Sequence, residues 1–149
     1  MKKILIVAAA VAFALWYFRQ KPAEPVTTSD AAPLVSAGPT CVVETENANR
    51  LLADASRLLV NVPVDSGIWG DAESRATQAI ARAESACSAS ASDAEGSALS
   101  DAREAISLIR TSLSEAANAA KGSGGFQGAT RQEQIDARIS SAKSKLGLR

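Results

Sequence analysis

An apolar run from Ile4 to Phe18, with Lys2 and Lys3 before it and Arg19 and Lys21 after it, constrains this chain more than any other stretch. A helix that spans a bilayer wants about 20 apolar residues, with roughly 17 as a practical minimum. The run is shorter, but its flanking cations can snorkel outward and extend the span. Trp16 and Tyr17 lie at its end, where interfacial aromatics belong. A cleaved secretory signal shares the basic start and the apolar stretch. Here, however, the nearby small-residue pair is Ala12-x-Ala14, and cutting there would leave Leu15 to Phe18 as a greasy new N-terminus. A buried core helix fits poorly with two lysines at its start. The expectation is therefore an uncleaved, single-pass signal-anchor helix over residues 1–19, inserted through Ile4–Phe18.

The anchor alone does not orient the chain, because cations flank both of its ends and the positive-inside bias nearly ties. Cysteine usage breaks the tie. Cys41 and Cys87 are the two cysteines, both beyond the anchor, and two cysteines in a short exported domain read as a disulfide. This points to a bacterial-type inner membrane with the C-terminal domain on the periplasmic, extracytoplasmic side.

Residues 20–40 carry Pro22, Pro25, Pro33 and Pro39 among alanine, serine and threonine. Such a segment buries too little apolar surface to fold, and reads as a disordered tether. Three helical patterns follow within residues 41–121. Ala48, Leu51, Leu52, Ala55, Leu58, Leu59 and Val62 recur at three- and four-residue steps, predicting a helix from about Val42 to Asn61, stopped by Pro63. Val64 to Gly70 reads as a loop with Asp65-Ser66-Gly67 as its turn, and Asp71 as the N-cap of a second helix reaching about Ser90. The second stripe, Ala76, Ala79, Ile80, Ala83 and Cys87, is thin and rich in alanine. In an antiparallel pair the start of the first helix lies beside the end of the second, which brings Cys41 to Cys87. Ser92-Asp93-Ala94-Glu95 is a capping box for a third helix to about Lys121, ended by Gly122. Its stripe of Leu99, Ala102, Ile106, Ile109, Leu113, Ala116 and Ala120 is the strongest in the chain.

Residues 122–128 form a glycine-rich linker. Thr130-x-x-Glu133 is a second capping box, opening a final helix within residues 129–149 that runs to about Leu146, where Gly147 can end it. Ile135, Ile139, Ala142 and Leu146 line a narrow side of it, and Arg131, Arg138, Lys143, Lys145 and Arg149 make it basic. The fold class expected is all-α: anchor, tether, a small alanine-rich antiparallel three-helix bundle, and a tethered basic amphipathic helix.

The formal net charge is zero, but it is unevenly spread. Residues 41–120 carry twelve acidic and six basic side chains, and residues 121–149 carry six basic and two acidic. The basic helix therefore has two readings: an interaction surface for an acidic partner or anionic lipid, or a segment folded back on the acidic body. Nucleic acid fits less well, since no aromatics interleave the cations. Trp69 and Phe126 are candidate contact aromatics, although a tryptophan beside a helix junction more often plugs the end of a helix pair.

The chain contains no histidine, the commonest general base and metal ligand. Ser140-x-x-Lys143 has the spacing of serine acyl-enzymes, but the Ser-Asp-Asn and Lys-Thr-Gly elements that such chemistry requires are missing. Asp65 lacks the further oxygen ligands of a calcium loop, and no phosphate-binding glycine motif precedes a helix. These residues point away from an enzyme, a metal or a cofactor. They point toward a membrane-anchored envelope protein that acts as a helical scaffold or assembly subunit, contacting a protein partner or a second copy through helical faces. The alternative is a membrane-active factor of the phage or lysis kind, whose basic helix engages a second membrane or a wall component.

Overall fold

The computed structural model describes residues 37–60, 63–88 and 93–149, so the expected anchor and most of the tether lie outside the described residues. Four helices make up the described part: α1 (Ala37–Arg57), α2 (Ser66–Cys87), α3 (Asp93–Ala120) and α4 (Gly128–Lys145). A single 3₁₀ turn, Leu58–Val60, extends α1. No strand occurs among the described residues.

Contacts along the helices give their directions. Cys41 at the start of α1 is bonded to Cys87 at the end of α2, with Cα atoms 4.7 Å apart. Arg103 and Arg110 of α3 meet Cys87 and Glu84 of α2 in reversed order. Arg131, Arg138 and Lys145 of α4 meet Glu115, Glu104 and Asp101 of α3, again reversed. The result is an up-down-up-down bundle, in which short connections force neighbouring helices antiparallel.

Half of the buried apolar side chains are alanine, which lets the helices approach closely while burying little area per residue. The larger core side chains are few. Leu52, Leu99, Ile109 and Ile135 are fully buried in the main core cluster, which also holds Val42, Ile80, Ile106 and both cysteines. A second, smaller cluster lies at the opposite end, around Trp69, Ala55, Ala72, Ala116 and Ala117.

Several boundaries differ from the sequence expectation. Helix α1 begins at Ala37, inside the stretch read as tether. Pro39 sits in its first turn, where a missing N–H removes no intrahelical bond. Gly38 is buried there, and a Cβ on it would come within 2.9 Å of Leu146. Helix α2 begins at Ser66, because the carboxylate of Asp65 accepts from the amides of Gly67 and Ile68, both at 2.9 Å. The supposed turn is an N-cap, and Asp71 lies inside the helix. Thr130 and Glu133 do not form a capping box either, since α4 already starts at Gly128. The ring of Phe126 lies against Gly128 and leaves no room for a Cβ at that position.

The helix ends match the expectation more closely. Gly122 has φ 74°; its amide bonds Ala119 at 2.9 Å, and that of Ser123 bonds Asn118 at 2.8 Å. This is a Schellman cap. Gly147, at φ 67°, ends α4 in the same way: its own amide bonds Ser144 and that of Leu148 bonds Lys143.

The principal correction concerns α4. It was expected to be tethered beside a three-helix bundle, but it packs on α3 and α1 as the fourth member of one bundle. Ile135 is 0% exposed, and Ile139 and Ala142 are buried with it in the main core cluster. Of the two readings of the basic helix, the one that folds it back on the acidic body is the one observed: its narrow apolar stripe is buried and its cations meet carboxylates of α1 and α3.

Candidate functional site

The basic helix α4 lies on an acidic groove formed by α1 and α3, and this is the densest polar contact in the described residues. Asp101 is its centre. Although only 8% exposed, it accepts from Lys145 Nζ at 2.6 Å and from Ser141 Oγ at 2.6 Å, with Arg138 at 3.7 Å. These donors hold the Asp101 carboxyl below its ordinary range, Lys145 most strongly and Ser141 next, against the opposing effect of burial. An aspartate so held remains charged and accepts hydrogen bonds; it does not take up protons near neutral pH.

The other cations of α4 are also engaged. Arg131 lies 2.7 Å from Glu115, Arg138 reaches Glu104 at 2.8 Å, and Lys143 reaches Glu46 at 2.8 Å. An amide ladder runs beside them, with Asn49 donating to Asp136 and Gln132 donating to Asn49. Of the five cations named as an interaction surface, Arg149 is exposed and makes no ion pair among the described residues. The geometry brings the other four together, but their partners are the bundle's own carboxylates.

Trp69 and Phe126 belong to the same apolar cluster, at the end of the bundle away from the disulfide. Trp69 is buried and donates Nε1–H to Glu73 at 2.8 Å. Half-buried Phe126, Leu58, Leu59 and Val64 pack around its cluster. Trp69 thus plugs the open end, and its ring is not available as a contact face. Val60, on the turn that ends α1, is 81% exposed and Ile68, in the first turn of α2, is 57% exposed; Val43 near the start of α1 is 58% exposed.

Ser140 is exposed and Lys143 is bound to Glu46, so the serine–lysine spacing does not assemble a nucleophile with its base. No group of histidine, cysteine, aspartate or glutamate side chains suited to a metal occurs among the described residues. None of the described helices is long and apolar enough to cross a membrane.

Two polar features were not recognised from sequence. Asp101 lies between Ala98, Ala102 and Ala105 on the helical net, and a carboxylate inside an apolar stripe signals a buried partner. Arg103 donates Nε and a terminal nitrogen to the Cys87 carbonyl at 3.0 and 2.6 Å, capping α2 from α3. Nothing in the sequence distinguishes Arg103 from a solvated arginine. Compared with family models, curated proteins and solved structures, the chain matches none of them.

Proposed function

We propose that this protein is a non-catalytic, membrane-anchored envelope protein, a helical scaffold whose bundle is held on the oxidising side of the membrane. The observation that carries this reading is the exposure of two apolar side chains, Val60 at the end of α1 and Ile68 at the start of α2. Within the bundle these residues lie opposite the Cys41–Cys87 end, and the anchor-like stretch precedes the bundle in the sequence. A helical bundle that follows an anchor-like stretch and exposes apolar side chains suits a subunit that contacts a partner protein.

The disulfide supports the compartment, since such bonds persist in oxidising surroundings. Helix α4 is a structural member in this reading. Its cations serve the acidic groove, which takes away the main support for a tail that engages a second membrane.

The test is photo-crosslinking of the full chain in its native membrane. A photoreactive side chain replaces Val60 or Ile68, with exposed Gln78 on the polar face of α2 as the control. Adducts of one defined mass from the two apolar positions, and none from Gln78, are expected. Adducts from Gln78 alone, or none from either apolar position, would remove this end as the contact surface.

A further inference from the structure

The Cys41–Cys87 bond is sealed inside the folded bundle. Cys41 is 0% and Cys87 1% exposed. Both belong to the main core cluster with Ala98, Leu99 and Ala102 of α3, and the Ile135 side of α4 completes that cluster. Arg103 of α3 grips the Cys87 carbonyl, and Thr45 Oγ1 of α1 lies 3.9 Å from Cys87 Sγ. A groove between α2 and α3 reaches the rim of Cys87 without exposing it.

Forming or breaking a disulfide requires a thiolate to reach one sulfur directly and displace the other. In the finished bundle that path is blocked. Both cysteines, however, sit on α1 and α2, which precede α3 in the chain and make a complete hairpin without it.

We propose that a thiol–disulfide oxidoreductase closes the Cys41–Cys87 bond while the α1–α2 hairpin is open, and that docking of α3 and α4 then seals it from all thiols. One cysteine thiolate attacks the catalyst's disulfide, forming a mixed disulfide and releasing one catalyst thiolate. The second cysteine thiolate attacks the protein sulfur of that mixed bond, forming Cys41–Cys87 and releasing the second. Two electrons pass to the catalyst, which leaves as a dithiol carrying the two protons. The inference rests on the burial of the bond and not on the scaffold reading, so either can fail alone.

The experiment follows reduction of the oxidised full chain in detergent by dithiothreitol, using alkylation and mass measurement. Reduction in native buffer is expected to be at least ~10³-fold slower than in guanidinium, because only the opened chain reacts. Leu99→Ala, which hollows the core cluster that both cysteines share, should speed native reduction about tenfold or more. Native reduction within about tenfold of the unfolded rate would overturn the sealing.

The order of events is tested on the reduced chain, after hydrogen exchange has shown whether it folds. If it folds, a purified oxidoreductase should oxidise it at least ~100-fold more slowly than chain freshly diluted from denaturant. Equal rates from the folded and diluted chains would overturn the order. A reduced chain that stays unfolded until it is oxidised supports it.

Discussion

Asp101 shows what one residue contributes here. Its carboxylate joins the start of α3 to the end of α4 through Lys145, Ser141 and Arg138. Because its pKa is lowered in the folded state, its contribution to stability is present above the unfolded aspartate value of about 3.9. That contribution is lost as pH falls through the lower folded value. Stability from this group should therefore be flat from neutral pH to about pH 5 and decline below about pH 4. Asp101→Asn should cost about 1–3 kcal/mol at neutral pH, toward the lower figure because Lys145 and Arg138 are partly exposed. Urea unfolding at pH 7 and pH 2.5 checks this. A gap between the two proteins that fails to narrow in acid would show that the carboxylate charge has no part in it.

At the level of the element, α4 is held by two unequal contributions. Each of its ion pairs is at least partly exposed and contributes roughly 0–1 kcal/mol. Full burial of Ile135 and Ile139 contributes about 1.5–3 kcal/mol each. Apolar burial thus holds the helix, and the charges set its register on the groove. Truncation after Gly128 would expose the faces of α1 and α3 that Ile135 and Ile139 cover. The shortened chain should lose its cooperative thermal transition, because that cost is a large part of the 5–15 kcal/mol typical of a domain. Circular dichroism of the truncated chain measures it. A sharp transition within a few degrees of the full chain would return α4 to the status of a tethered arm.

For the whole molecule the disulfide is the largest single constraint. Closing a loop across a sequence separation of 46 residues contributes about 4 kcal/mol in the chain-entropy model. A core in which half of the buried apolar side chains are alanine has little to replace it with. Cys41→Ala with Cys87→Ala should lower the melting temperature by about 15–30 °C, taking 4–8 °C per kcal/mol for a small domain. A scanning-calorimetry shift below about 5 °C would mean that packing alone holds the bundle.

The helical patterns of α2 and α3, the glycine stops at Gly122 and Gly147, and the Cys41–Cys87 pairing were all legible in the sequence. Each depends on local spacing or on the geometry of one hairpin, and both kinds of information are carried by neighbouring residues. The N-terminal boundaries were less legible, because Asp65 and Asp71 offer the same capping chemistry and only backbone geometry chooses between them. Two features were decided by tertiary structure: the membership of α4 in the core and the identity of Asp101's partners, Lys145, Ser141 and Arg138. The stripe of Ile135, Ile139, Ala142 and Leu146 is equally compatible with a free amphipathic helix. What commits it to the bundle is the apolar surface of α1 and α3 that covers Ile135 and Ile139, with Glu46, Asp101, Glu104 and Glu115 of those two helices setting its register. No window along the chain contains both sides of that contact, so its energy appears only once the helices are assembled.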